Sequence, residues 1–171
     1  MNSRETPKLA MRPMLPTDVP FLAEIFRASI EDLTADDYSA GQQEAWASAA
    51  DDEEAFSKSL EKGLTLVALT GGGPVGFISL QKGGLIDQLY VHPAVARTGV
   101  ASALVEAIEK LAAARGVATL ATDASDTAKP LFEKRGFVAE RRNTIEIDGE
   151  YLGNTRMTKA LAPKAAPDVR P

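Results

Sequence analysis

The segment best suited to chemistry is a strand followed by a small-residue loop and a long helix, Leu85 to Leu111. The strand ends at His92-Pro93, and Gly99 and Ala101 lie where the helix begins. Consecutive backbone N–H groups at a helix start, together with the helix dipole, form a site for an anion such as a pyrophosphate. Spacing alone favours an ordinary strand-to-helix turn, because neither common nucleotide motif, GxxxxGK[ST] or GxGxxG, occurs in the chain.

Composition limits the other chemistry that the chain can carry. Cysteine is absent and His92 is the only histidine, so disulfides, thiolate metal sites and a cysteine nucleophile are excluded, and no metal site is predicted. The net charge of −5, from 19 basic and 24 acidic residues, argues against a nucleic-acid partner. No stretch approaches the roughly 20 apolar residues of a membrane span, and no secretory signal is visible. We therefore expect a cytoplasmic protein without a membrane partner.

Apolar spacing and turn residues predict the elements that position this segment. The 171 residues fit one ordinary domain, which we assign to residues 1–161, with 162–171 as a flexible C-terminal tail. The predicted helices are about 17–34, 42–49, about 51–62, 100–115 and 127–135. The predicted strands are 9–14, 64–69, 75–80, 85–92, 117–122, 137–147 and 151–159. This order predicts a mixed α/β domain.

Two motifs, one that begins in strand 85–92 and one around the helix 127–135, carry a resemblance to a known family. The first is Leu89-Tyr90-Val91-His92-Pro93 followed by Arg97-Thr98-Gly99-Val100-Ala101 and a helix. It resembles the acetyl-CoA motif of the GNAT superfamily of N-acetyltransferases. The second, the helix from Ser125 to Phe137, resembles a later motif, NxxAxxFYExxGF. Its four matching residues are Ala128, Glu133, Gly136 and Phe137. The order of elements also fits nearly the whole chain.

A second group of residues resembles one branch of the superfamily, the YafP-type bacterial branch. Its members are Tyr38, Ser39, Gln42, Trp46, Asn154 and Met157. The resemblance implies a GNAT-like fold, with a central, mostly antiparallel twisted sheet flanked by helices and a strand–loop–helix acetyl-CoA site.

The resemblance also implies how acetyl-CoA would be bound. The backbone of Leu89 to Val91 would hydrogen-bond the pantetheine arm, and one of those amides would polarise the thioester carbonyl. The amides from Arg97 to Ser102 would hold the pyrophosphate. The cofactor-binding residues implied are Leu89, Tyr90, Val91, Arg97, Thr98, Gly99, Val100, Ala101, Ser102, Ser125, Ala128, Lys129 and Phe132.

Three positions depart from the family pattern. Ala96 stands where a glutamine or arginine is usual, with Arg97 one place later, and Ser125 replaces the usual asparagine of the later motif. Neither change argues against binding, because backbone groups do most of it. Phe132 replaces the tyrosine often credited with protonating the departing thiolate, so the standard general acid is missing.

The resemblance assigns catalytic roles to two residues. Asp87 fits a strand position where many of these enzymes carry a carboxylate, and it would take a proton from the amine; the alternative is a solvated or salt-bridged aspartate. For the acid, Tyr38 is our first choice among the three tyrosines, because the helical N-terminal region lines the acceptor side in this family. The alternative for Tyr38 is a partly buried loop tyrosine. Tyr38, Trp46 and Asn154 are predicted to bind the acceptor.

Two functions follow as the main hypotheses, and a nucleotide-binding domain is a third. The first is an acetyl-CoA-dependent N-acetyltransferase in which a primary amine of a small molecule or peptide attacks the thioester directly. The second is a non-catalytic acyl-CoA-binding sensor or regulatory module, which the missing acid at Phe132 suggests. We expect a monomer or a homodimer, because an exposed edge strand near the C-terminus could pair between subunits.

Overall fold

A mixed sheet forms the centre of the computed structural model, which describes residues 8–162. Its strands are Ala10–Pro13 (β1), Gly63–Thr70 (β2), Gly73–Gln81 (β3), Leu85–Val91 (β4), Thr119–Ser125 (β5), Val138–Ile147 (β6) and Glu150–Ala160 (β7). Their order across the sheet is β1-β2-β3-β4-β5-β7-β6. Each neighbouring pair is antiparallel except β4 and β5. The prediction of a mostly antiparallel sheet is therefore confirmed.

Helices flank this sheet at positions close to the predicted ones. They are Val19–Leu33 (α1), Ala40–Ala47 (α2), Glu53–Glu61 (α3), Val100–Ala114 (α4) and Lys129–Lys134 (α5). Helix α2 begins two residues earlier than predicted because Ser39 caps it. The Ser39 hydroxyl accepts the Gln42 N–H at 3.2 Å, and the Gln42 side chain accepts the Ser39 N–H at 2.8 Å, a reciprocal capping box. None of the described helices is long and apolar enough to cross a membrane.

The sheet separates two apolar cores. Helix α4 covers one face, where Leu104 and Ile108 are fully buried in the same cluster as Ile78 of β3. Helices α1 and α3 cover the other face, where Phe26 clusters with Phe77. Phe77 and Ile78 are adjacent in the chain but belong to different cores, because side chains alternate along a strand.

The predicted domain boundaries fall at the two ends of the chain. Residues 1–7 of the predicted domain lie outside the described residues, as does the predicted tail 162–171 apart from Ala162.

Candidate active site

The candidate site lies where strands β4 and β5 diverge. These parallel strands pair at only two positions, Leu85 with Ala121 and Ile86 with Thr122. Beyond that point, both strands line a cavity of about 700 Å³. The edge of β4 that faces β5 therefore has no strand partner there, and its backbone donors and acceptors are available to a ligand. Leu89, Tyr90 and Val91, the three residues predicted to bind pantetheine, lie along this edge and line the cavity.

One end of the cavity is the start of helix α4. Gly99 is the N-cap residue, with a left-handed backbone at φ 93°, and no side chain caps the helix. The N–H groups of the first helical turn, Val100 to Ser102, have no acceptor within the helix. A Cβ added at Gly99 would meet no heavy atom within 4 Å, so the space in front of these N–H groups is open. This end of the cavity fits a diphosphate, with Arg97 as the cation that lines it.

Two of the predicted cofactor residues do not line the cavity. The N–H and the hydroxyl of Thr98 both donate to the carbonyl of Val95, at 3.3 and 2.6 Å, so both donors are used within the loop. The Lys129 ammonium lies 3.5 Å from the carboxylate of Glu133, one turn along α5. The other predicted cofactor residues all line the cavity.

Asp87 occupies a β-bulge in strand β4. Leu80 of β3 pairs with Ile86, and the adjacent Ser79 pairs with Gln88, so Asp87 is an extra residue opposite that pair. A bulge interrupts the alternation of side chains and redirects them. The Asp87 side chain is exposed, lines the cavity and forms no ion pair with any residue between 8 and 162. The salt-bridged alternative for this carboxylate is therefore not found in the described part of the chain.

The other aspartate that lines the cavity is already paired. The carboxylate of Asp123, on β5, accepts hydrogen bonds from Arg156 at 2.7 and 3.0 Å. Because this pairing compensates its charge, Asp123 is a weaker candidate than Asp87 to accept a proton from a substrate.

Tyr38 links three segments at the end of the cavity that Trp46 and Asn154 also line. We call this the acceptor end, after the role predicted for these three residues. Its hydroxyl donates to the carbonyl of Gly153 in β7 at 2.7 Å and accepts the N–H of Asp126 at 2.9 Å. The residue is only 6% exposed, and burial raises the pKa of its phenol. The general-acid role predicted for Tyr38 would require its proton to leave the Gly153 carbonyl. The structure instead supports the alternative of a buried loop tyrosine that fixes neighbouring segments.

Trp46 and Tyr90 form the aromatic wall of the same end. The indole N–H of Trp46 donates to the Tyr90 hydroxyl at 3.1 Å, and the Trp46 ring lies edge-on to Tyr38 with a centroid separation of 5.4 Å. Sequence reasoning assigned backbone contacts to Tyr90 and preferred the Tyr38 phenol to the Tyr90 phenol as the acid; it did not predict the contact with Trp46. Alternation along a strand turns Tyr90 to the face opposite Leu89 and Val91, but it does not reveal a partner 44 residues away in the chain.

The later motif closes the cavity on the α5 side. The Ser125 hydroxyl accepts the N–H of Ala128 at 3.1 Å, so it satisfies a backbone donor in the turn that leads into α5. Phe132 is 2% exposed and packs against Phe137 at a centroid distance of 5.0 Å. Asn154 pairs with Ser125 across β5 and β7, and its buried side-chain oxygen has no partner among the described residues. These residues are brought together at the end of β5, beside the cavity.

Comparison with known proteins identifies the class to which this fold and site belong. Residues 34–161 match the family described as Acetyltransferase (GNAT) domain. The N-acetyltransferase YafP of Escherichia coli K12, itself uncharacterized, is 36% identical over 149 residues, which are 87% of this chain and 94% of YafP. The chain therefore belongs to the GNAT family of acetyltransferases, and the predicted N-acetyltransferase identity is confirmed.

Solved structures agree with this assignment. The crystal structure of a GCN5-related N-acetyltransferase from Rhodopseudomonas palustris is 57% identical, with a TM-score of 0.87 over 92% of this chain and 97% of that one. The PaiA N-acetyltransferase of Thermoplasma acidophilum, crystallised with coenzyme A, is 21% identical and has a TM-score of 0.71, over 90% of this chain and 99% of that one. The second comparison supports the fold alone.

Proposed function

We propose that the protein transfers the acetyl group of acetyl-CoA to a primary amine of a small molecule or peptide by direct attack of the amine. The observation that carries the proposal is the unpaired edge of β4, which leads to the uncapped start of α4. An extended chain that ends in a diphosphate matches both features in one ligand. Acetyl-CoA has this form, and it would supply the activated acetyl group as a thioester.

The residues present at the two features fit this ligand. The N–H groups of Val100, Ala101 and Ser102 would hold the diphosphate, helped by the dipole of a 15-residue helix. The backbone of Leu89 to Val91 would hold the extended arm and present an N–H group to the thioester oxygen. A donor fixed at that oxygen stabilises the negative charge that develops during attack.

Asp87 is proposed as the proton acceptor. A free alkyl amine has a pKa near ~10.4 and is mostly protonated at neutral pH, yet only the neutral form attacks. The Asp87 carboxylate lines the cavity without an ion-pair partner among the described residues, so it can remove this proton directly or through one water. Tyr38, Trp46 and Asn154 line the acceptor end and are proposed to bind the amine. The cytoplasmic location and the monomeric or homodimeric state stay predictions.

Mutation of Gly99 tests the proposed diphosphate site. Gly99→Glu places a side chain and a negative charge in the open space before α4, and it should abolish binding of CoA in isothermal calorimetry. Gly116→Glu is the matched control, because Gly116 also has positive φ, at 80°, and open space around its Cβ position. Both variants place a side chain at a positive φ, and only Gly99 lines the cavity. Unchanged affinity in a folded Gly99→Glu variant would refute the site.

The alternative function, an acyl-CoA-binding sensor without catalysis, rests on the phenylalanine at position 132. Release of free CoA from acetyl-CoA, followed with a thiol reagent, separates the two functions. Acceleration by any of a panel of amines supports transfer. Tight binding of acetyl-CoA with no acceleration by any of those amines supports the sensor.

A further inference from the structure

The three tyrosines of the chain differ in what holds their hydroxyl protons. Tyr38 donates its proton to the Gly153 carbonyl. Tyr151 lies on the β6–β7 hairpin, is 62% exposed and does not line the cavity. Tyr90 lines the cavity and accepts a hydrogen bond from Trp46, but its own proton has no acceptor among residues 8–162. Of these phenols, Tyr90 alone combines a place in the cavity with a proton that no described group binds.

We propose that Tyr90 donates the proton taken up by the departing thiolate, and that Trp46 holds the Tyr90 hydroxyl in position for this step. The proposal rests on the acetyl transfer proposed above. It assigns to β4 the acid that Phe132 cannot supply from α5.

The contact with Trp46 suits this role because of its direction. An indole N–H is a donor only, so it occupies a lone pair of the Tyr90 oxygen and leaves the phenolic proton for another acceptor. The same N–H would stabilise the phenolate that remains after proton transfer. Trp46 lies on α2, whose start is fixed by the Ser39–Gln42 capping box, so the donor is held on a rigid element.

Two aromatic neighbours also hold the ring of Tyr90 in place. Its centroid lies 4.6 Å from that of Phe26 on α1 and 5.6 Å from that of Phe77 on β3. Burial, and to a smaller extent the charge of Asp87, raises the pKa of the Tyr90 phenol. The hydroxyl is therefore protonated at neutral pH, as a proton donor must be before the reaction.

The proposed step balances with the role of Asp87. Asp87 first passes the ammonium proton to solvent, which leaves a neutral amine and a free carboxylate. The amine nitrogen then forms a bond to the carbonyl carbon and loses a second proton to Asp87, while the carbon–sulfur bond breaks and its electron pair passes to sulfur. The sulfur takes the proton of Tyr90, which leaves a phenolate and a protonated Asp87. Transfer of that proton from Asp87 to Tyr90 through water restores both groups, and the products are the amide and the free thiol of CoA.

Tyr90→Phe tests the proposal because it removes the hydroxyl and keeps the packed ring. We expect kcat to fall on the order of 10²-fold, the low end of the range for a positioned acid, because a thiol of pKa near ~8.5 also leaves moderately well unaided. The affinity for CoA and the KM for the amine should change by less than about twofold, which a general loss of structure would not allow. Tyr151→Phe is the matched control, since this phenol lies outside the cavity, and it should retain wild-type kcat.

Trp46→Phe provides a second variant if Tyr90→Phe fails to fold. It removes the N–H donor while keeping an aromatic ring, and kcat should fall, but by less than in Tyr90→Phe. Single-turnover rates show whether chemistry limits turnover. If it does, wild-type kcat in a folded Tyr90→Phe variant would overturn the proposal. Wild-type kcat in Trp46→Phe would overturn the role of Trp46. Failure of the wild-type protein to acetylate any amine would instead refute the proposed function.

Discussion

Tyr38→Phe separates a structural role of Tyr38 from a catalytic one. The substitution removes one oxygen and leaves the ring, so the edge-on contact with Trp46 persists. Two groups lose their partner, the carbonyl of Gly153 at 2.7 Å and the N–H of Asp126 at 2.9 Å. These groups belong to β7 and to the β5–α5 loop, so the hydroxyl links both of them to the segment after α1.

The expected loss of stability follows from these two bonds. A buried polar group left without a partner costs about 1–3 kcal/mol. Water can replace the partner of the Asp126 N–H, because Asp126 is partly exposed, so we expect the cost of one unpaired group, about 1–3 kcal/mol. For a domain of this size each kcal/mol shifts Tm by about 2–4 °C. Tyr38→Phe should therefore melt roughly 2–12 °C below the wild type.

Differential scanning calorimetry measures this shift, with Tyr151→Phe as the control. The Tyr151 side chain is 62% exposed, and its loss should change stability by less than about 0.5 kcal/mol. Turnover of acetyl-CoA below the melting range should decrease much less for Tyr38→Phe than for Tyr90→Phe. A wild-type Tm for Tyr38→Phe, combined with a large loss of turnover, would refute the structural role and support the acid role predicted from sequence.

Three further outcomes are expected. Asp87→Asn should lower turnover by about 10²- to 10⁴-fold with little change in CoA affinity. The deficit in turnover should shrink at high pH, where the amine deprotonates unaided. A pH–rate profile parallel to that of the wild type would show that Asp87 is not the base. Asp18→Asn should destabilise the fold by about 1–3 kcal/mol at pH 7 in urea titrations. It removes the negative charge and replaces with a donor NH2 one of the two oxygens that accept hydrogen bonds from Arg12 at 2.6 and 2.9 Å. Since these bonds lower the pKa of Asp18, its stabilisation is complete above the ordinary carboxyl pKa of ~3.9 and is lost as the pH falls through the lowered value; a difference that persists below that value would contradict this account. Phe132→Tyr should leave turnover nearly unchanged and lower Tm, because its hydroxyl enters a site packed against Phe137; a large gain in rate would show that Tyr90 does not act as the acid.

Local sequence patterns predict the helices and strands and the position of the loop before α4. The apolar stripe of α4 predicts a helix with one buried face, and Leu104 and Ile108 on that stripe are fully buried. Asp148-Gly149 stands between the predicted strands 137–147 and 151–159, where such a pair favours a hairpin turn. Both residues have the positive φ that this turn requires. These predictions succeed because periodicity and turn chemistry are local properties, set by residues within a few positions of one another.

Tertiary packing sets which of these polar groups already have a partner, and this changes the proposal for the catalytic groups. Tyr38 and Gly153 are 115 residues apart in the chain, and Trp46 and Tyr90 are 44 apart. Residue type and spacing give the face on which a side chain lies but not the distant partner that takes up its proton. The same holds for Asp87, whose bulge depends on the register between β3 and β4. A hydrogen bond needs a specific distance and direction, and only the packed chain sets these for residues far apart in sequence.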